Sequence, residues 1–310
     1  MVKYTKVFRL YGINIKTDIE LPVYPEESLS DKEMYYIISK GKCLQNEDSF
    51  CEYSTNQRGN VIFKKNSKNQ YMIETDKMGR VYIDQNTVQY YEDSKDVQMI
   101  VEDKEPGFML SYGMGIAMML RLNQYAVIHA NALQIDNKVI LVMGESGAGK
   151  STFCSYLIKK HGAKLISDDM SCIRNGILYS GFQMLKLWPE IISNIMESDK
   201  GKYYRVGVSD KRYYTLAQHV EEKHKITDLI FLQSNQEDKL VKIQEIGNGE
   251  ACAWLIKNIY NKVSLDSNMF LQEMQVLTEM MNTFQINSYL IHSPRTFDTL
   301  EKLAQIAVRK

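Results

Sequence analysis

At 310 residues, with 44% hydrophobic and 25% charged side chains, the chain has the composition of a soluble globular protein large enough for one large or two ordinary domains. Lys plus Arg and Asp plus Glu both number 38, so the net charge is zero, and the balance argues against nucleic acid or an anionic membrane as a partner. Cys43, Cys51, Cys154, Cys172 and Cys252 form no C-x-x-C pair or metal-ligand spacing, the first residues lack the apolar run of a signal peptide, and no segment is apolar for long enough to span a bilayer, which together predict a cytoplasmic protein with reduced thiols.

From Val7 to about Glu92 the chain is rich in tyrosine and β-branched residues in short segments between polar turns, the pattern of an antiparallel β region. Its clearest part is a predicted meander over Asn60–Lys65, Gln70–Thr75, Gly79–Asp84 and Thr87–Glu92, in which Val81 and Ile83 share one face and Tyr82 takes the other. Charged stretches at 91–96 and 102–107 bracket a boundary, giving a β-rich domain over 1–105 and a second domain over 106–310. Phe108 to Leu122 is predicted helical, with Met109, Tyr112, Ile116, Met119 and Leu120 on one broad apolar face despite Gly113 and Gly115. Val127–Ile135 and Lys138–Met143 read as two strands joined at Asp136-Asn137.

The second of these strands runs into Gly144-Glu145-Ser146-Gly147-Ala148-Gly149-Lys150-Ser151, which fills every position of the phosphate-binding pattern G-x-x-x-x-G-K-[S/T]. In such a loop the backbone curls so that amide N–H groups point at phosphate oxygens, the lysine reaches the β- and γ-phosphates, and the hydroxyl ligates Mg²⁺. A helix is predicted from Thr152 to Lys160, capped by Gly162 and carrying Lys159, Lys160 and His161 at its negative end, so that its positive end faces the phosphates. The short strand Lys164–Ser167 then delivers Asp168 and Asp169 at its C-terminal end, where ligands of open α/β sheets bind. If Asp169 addresses Mg²⁺ alongside Ser151, Asp168 could accept the proton of an attacking hydroxyl, the other reading being that one of the pair only caps the following turn. Asp298 to Ala307 is predicted to be a helix docked through Leu300, Leu303, Ala304 and Ala307, and His219 and His224 read as surface residues.

His129-Ala130-Asn131-Ala132, the loop G-E-S-G-A-G-K-S and Ile166-Ser167-Asp168-Asp169, at these spacings, resemble the catalytic core of the HPr kinase/phosphorylase family. The resemblance covers roughly Phe108 to Arg212, and it implies an α/β P-loop core of HPr-kinase type behind an N-terminal, mainly antiparallel β domain (α+β overall), with ATP and Mg²⁺ as cofactors. It also implies Asp168 as the base toward a serine hydroxyl, His129 as a group that orients or poises it, and Ser151 with Asp169 as holders of Mg²⁺. Lys186-Leu187-Trp188-Pro189 and Asp210-Lys211-Arg212-Tyr213-Tyr214 resemble segments of kinase-like members, in which Lys211 and Arg212 would neutralise charge on the transferring phosphoryl group, while Lys202 and Arg205 read as surface charge. Residues 144–152, from Gly144 through Glu145, Ser146, Gly147, Ala148, Gly149, Lys150 and Ser151 to Thr152, would hold the nucleotide.

Thr152 stands where bifunctional members usually carry glutamate, and their phosphorylase-associated stretch is missing, so the resemblance does not extend to phosphorolysis. The layout, with its opening Arg9-Leu10-Tyr11-Gly12 strand and small β domain, is similar to kinases that phosphorylate the C-terminal serine of lasso-peptide precursors. It implies a peptide or small protein as phosphoacceptor and allows self-association into a homo-oligomer. Two alternatives remain open at this level: a kinase of the same fold acting on a small metabolite, and a regulatory P-loop NTPase with no acceptor.

Overall fold

A computed structural model describes residues 6–19, 35–41, 49–56, 61–76, 78–91, 110–196, 203–205, 210–216, 218–234, 240–294 and 296–308. The described chain is mixed α/β and divides into two compact units, one comprising 1–125, 205–209 and 261–273, the other 126–204, 210–260 and 274–310. The expected boundary at 105/106, and Phe108 and Met109 of the expected helix, lie outside the described residues, as do Lys202 and Cys43.

Among the described residues the first unit holds eight strands: β1 Lys6–Leu10, β2 Ile13–Thr17, β3 Tyr35–Lys40, β4 Cys51–Asn56, β5 Val61–Lys65, β6 Tyr71–Thr75, β7 Gly79–Ile83 and β8 Thr87–Tyr91. They form one sheet in the order β1-β2-β3-β8-β7-β6-β5-β4. The meander β5 to β8 is antiparallel throughout, and along β7 Val81 and Ile83 are buried while Tyr82 is half-buried, as alternation demands. Asn66 starts one of its turns by accepting the backbone N–H groups of Lys68 and Gln70 at 2.9 and 3.1 Å. The sheet is not wholly antiparallel: β3 pairs in parallel with both β2 and β8. Leu110–Gly115 is a π-helical turn that continues into a helix over Ile116–Leu122, burying Tyr112, Ile116, Met119 and Leu120. A Cβ at Gly115 would lie 2.7 Å from the Val88 side chain, so glycine here lets the helical backbone approach β8.

The second unit holds β9 Ala126–Ile128, β10 Ala130–Ile135, β11 Lys138–Gly144, β12 Lys164–Ser167, β13 Ser171–Arg174, β14 Ile177–Tyr179, β15 Met184–Leu187, β17 Arg212–Thr215, β18 Lys223–Lys225, β19 Asp228–Ser234, β20 Lys242–Glu245 and β21 Asn287–Ser293, while β16 Tyr203–Arg205 ends where the chain passes to the first unit. Its main sheet runs β12-β10-β11-β19-β21-β20, with β11, β19 and β21 parallel and β10 antiparallel to both β11 and β12. A second sheet runs β18-β14-β13-β9, and β15 pairs antiparallel with β17. The segment expected as one strand over Val127–Ile135 is two strands: β9 pairs with β13 in the second sheet, β10 with β11 and β12 in the main one, and the chain crosses between them at His129. A residue on a continuous strand would be tied into one ladder, whereas His129 sits at the joint.

The helix Lys150–His161 follows β11 and packs on the main sheet through Phe153, Cys154 and Leu157, against Leu133, Val142, Ile230 and Ile291. The last helix, Leu300–Val308, adds Leu303, Ala304 and Ala307 to the same core. Each large side chain buried there contributes about 1.5–3 kcal/mol, so the helix that positions Lys150 is anchored along its length.

Candidate phosphoryl-transfer site

The connection from β11 to the helix Lys150–His161 requires glycine. Gly144 (φ 151°), Gly147 (φ 83°) and Gly149 (φ 94°) all have positive φ, and a Cβ at Gly144 would lie 2.4 Å from the Leu232 carbonyl oxygen. The helix begins at Lys150 with no side-chain cap and no acidic residue in its first turn, so its leading N–H groups remain open to an anion. Ser151 and Thr152 follow within that turn, both half-buried.

Lys150 is buried and its ammonium satisfies three acceptors: the Gly144 carbonyl at 2.8 Å, the Glu145 carbonyl at 3.4 Å and His129 Nε2 at 3.1 Å. An ammonium has no lone pair, so His129 Nε2 is the acceptor and the ring proton resides on Nδ1. Nδ1 faces both the Asp169 carbonyl, at 3.1 Å, and the Asp169 carboxylate, at 3.2 Å. Burial holds His129 below the usual imidazole range, opposed by Asp169 and reinforced by the Lys150 charge, which agrees with a neutral ring in this tautomer. Burial likewise lowers Lys150, opposed by Asp169 and Asp168. A continuous path thus leads from the loop lysine through His129 to a strand-end carboxylate.

Asp169 occupies the left-handed region at φ 64°, which costs a residue with a Cβ about 1 kcal/mol or more. Its N–H lies 3.4 Å from Asn131 Oδ1, and the Met170 N–H closes the turn on the Asp168 carbonyl at 2.7 Å. Through this turn the adjacent carboxylates acquire different surroundings. The Asp169 side chain is 50% exposed and meets His129, while Asp168 Oδ2 accepts the Lys186 backbone N–H at 2.6 Å and its Oδ1 is buried with no hydrogen-bond partner. Burial, then the neighbouring Asp169 charge, pushes the Asp168 carboxyl up to about 7, against the Lys186 N–H and the charges of Lys186 and Lys150. Of two adjacent carboxyls, the buried Asp168 thus has the raised pKa that suits acid–base work.

His129, Lys150, Asp168 and Asp169 are therefore brought together. His129 contacts Asp169 rather than Asp168, so the orienting role expected of it toward Asp168 has no direct contact. Lys211 lies near enough to depress both His129 and Lys150, and its ammonium stands 5.3 Å from the centre of the half-exposed Trp188 ring. Arg212 is exposed, one residue out of phase with Tyr213 on β17. Glu145 and Ser146 are exposed at the tip of the loop, with Glu145 3.4 Å from Lys257. Tyr213 was not among the expected site residues: burial, Asp169 and Asp168 raise its hydroxyl, and Lys186 Nζ lies 5.8 Å from its ring centre. The signal for it was the two-residue period of Arg212–Thr215, which turns Tyr213 away from the buried Tyr214.

Among the described residues no group of three or more His, Cys, Asp or Glu side chains could by itself hold a metal ion. The oxygen donors present, the Ser151 hydroxyl and the Asp169 carboxylate, suit a hard cation such as Mg²⁺ that takes its remaining ligands from phosphate and water. No described helix is long and apolar enough to cross a membrane, and the described cysteines are free thiols.

No family model and no curated protein matches the chain. Among solved structures it is similar to the HPr(Ser) kinase/phosphatase from Coxiella burnetii, at 17% identity over 59% of this chain and 88% of that one, with a TM-score of 0.30. A likeness at that level decides nothing about chemistry, which rests on the residues themselves.

Proposed function

We propose that the chain is an ATP-dependent kinase that transfers the γ-phosphate to a serine hydroxyl of a peptide or small protein. The observation that carries this reading is the pairing of a glycine-shaped loop and its lysine with a buried, partnerless carboxylate oxygen on Asp168, a strand end away. A module that only binds and hydrolyses nucleotide has less need of so strong a carboxylate base, because a positioned water suffices.

In this mechanism the loop N–H groups and Lys150 neutralise the β- and γ-phosphates, with Lys150 exchanging a carbonyl or His129 for phosphate oxygen. Asp168 takes the proton of the serine hydroxyl as its oxygen bonds to the γ-phosphorus and the bond to the β–γ bridging oxygen breaks, releasing ADP. His129 holds Asp169 in place through Nδ1–H, and Lys211 places positive charge beside the transferring group. Ser151 and Asp169 would hold Mg²⁺, which supplies charge neutralisation across the phosphates. The peptide class of acceptor follows the resemblance to lasso-precursor kinases.

The test is to incubate the protein with MgATP, serine-terminated peptides and small hydroxyl compounds, and to follow one added phosphate by mass spectrometry. Phosphate on a peptide serine supports the proposal; phosphate only on small compounds overturns the acceptor class, and ATP hydrolysis with no labelled acceptor overturns transfer.

A further inference from the structure

The glycine-rich loop has two flanks in the main sheet. On one, past β10, β12 delivers Asp168 and Asp169; on the other lie the parallel neighbours β19 and β21. On this second flank the loop residues Ala148 and Gly149 border a pocket of about 240 Å³, lined also by Gln233 near the end of β19, Pro294 after β21, Phe297 from the segment leading into the last helix and Leu303 within that helix.

Its chemistry differs from that of the phosphate loop. The lining mixes apolar side chains such as Ile191, Leu232 and Leu300 with neutral hydroxyls and the Gln233 amide, no described lining residue is a cation, and Glu190 is exposed. Beyond the loop's own N–H groups, phosphate or carboxylate finds no cationic side chain there, whereas a flat, uncharged heteroaromatic ring finds apolar surface with an amide at its edge. Phe297 is 42% exposed although it borders the pocket, so core packing does not account for its aromatic ring. The Ser293 and Thr299 hydroxyls, 3.3 Å apart and both bound to the Pro294 carbonyl, brace the turn that presents Phe297. A nucleotide whose γ-phosphate points at Asp168 must leave the loop on the opposite flank, toward this pocket.

We infer that the pocket receives the purine base of the donor nucleotide, with Phe297 stacking on the ring and Gln233 meeting its edge. The inference rests on the reading of the Gly144–Ser151 loop as a phosphate cradle, and the two can be separated with a ligand that has phosphates and no base. Calorimetric titration of the full chain with MgATP and with magnesium tripolyphosphate is compared for wild type, Phe297→Ala and Phe297→Trp. Stacking on an aromatic ring makes Phe297→Ala lose ATP affinity on the order of tenfold while tripolyphosphate affinity stays put, and Phe297→Trp restores ATP binding. If Phe297→Ala weakens both ligands equally, or leaves ATP affinity unchanged, the base lies elsewhere and the proposal is overturned while the cradle stands. Wild-type protein that binds neither ligand overturns the cradle and the base pocket together.

Discussion

Asp168 and Asp169 are neighbours in sequence with opposite surroundings, and the difference makes two measurable statements. Asp168 is pushed up to about 7 by burial and by Asp169, so below that pH it is protonated and unable to accept a serine proton. The acceptor kcat/KM is therefore expected to rise with pH and level off above about 7, as a plot of rate against pH will show. A profile flat down to pH 5 contradicts a proton-accepting role for this carboxyl. The same shift has a consequence for stability. An unfolded Asp titrates near 3.9, so between about 4 and 7 the folded chain binds more protons at this site than the unfolded chain, and the site's contribution to stability declines as pH rises through that window. Asp168→Asn cannot ionise and keeps an acceptor for the Lys186 N–H, so its gain in melting temperature over wild type is expected to be larger at pH 8 than at pH 5. Equal differences at the two pH values would show that the carboxyl is not destabilised in the fold.

Among the elements, those with a local cause were legible in the sequence. The helix Lys150–His161 ends at Gly162 in the left-handed region, and the meander β5 to β8 keeps its two-residue alternation. What could not be read depends on partners distant in the chain. β3 pairs in parallel with β2 and β8, a choice its own composition does not specify, and the break at His129 exists because β9 and β10 join different sheets. The Arg121–Glu273 ion pair is of the same kind. Arg121 Nε meets Glu273 Oε1 at 2.6 Å, its guanidinium also meets Ser264 Oγ at 3.2 Å, and the two charged side chains are 1% and 0% exposed. Nothing local marks either residue as buried, since both charges ordinarily face water. Arg121→Ala leaves Glu273 without this buried counter-charge and is expected to cost the first unit about 3–5 kcal/mol in denaturant unfolding. A change under about 1 kcal/mol would mean that the pair contributes no more than a surface ion pair.

For the whole molecule, composition and net charge pointed to no partner, and the informative content lay in three short segments around residues 129, 144–151 and 168–169. The fold unites them because β10, β11 and β12 are adjacent in one sheet, which sets His129, the loop and the two aspartates at one end of it. For Tyr213 the sequence offered only the alternation of its strand, and for the Phe297 pocket nothing, because each reaches the loop or the aspartates through pairing and packing of segments far along the chain. In the proposed reaction the loop binds the donor and Asp168 activates the acceptor, two roles that one substitution should separate. The most direct test is Asp168→Asn, assayed for MgATP binding by calorimetry and for phosphate transfer to an acceptor peptide by mass spectrometry. The account predicts ATP affinity within a few-fold of wild type with transfer reduced by about 10²–10⁴; transfer at the wild-type rate would contradict it.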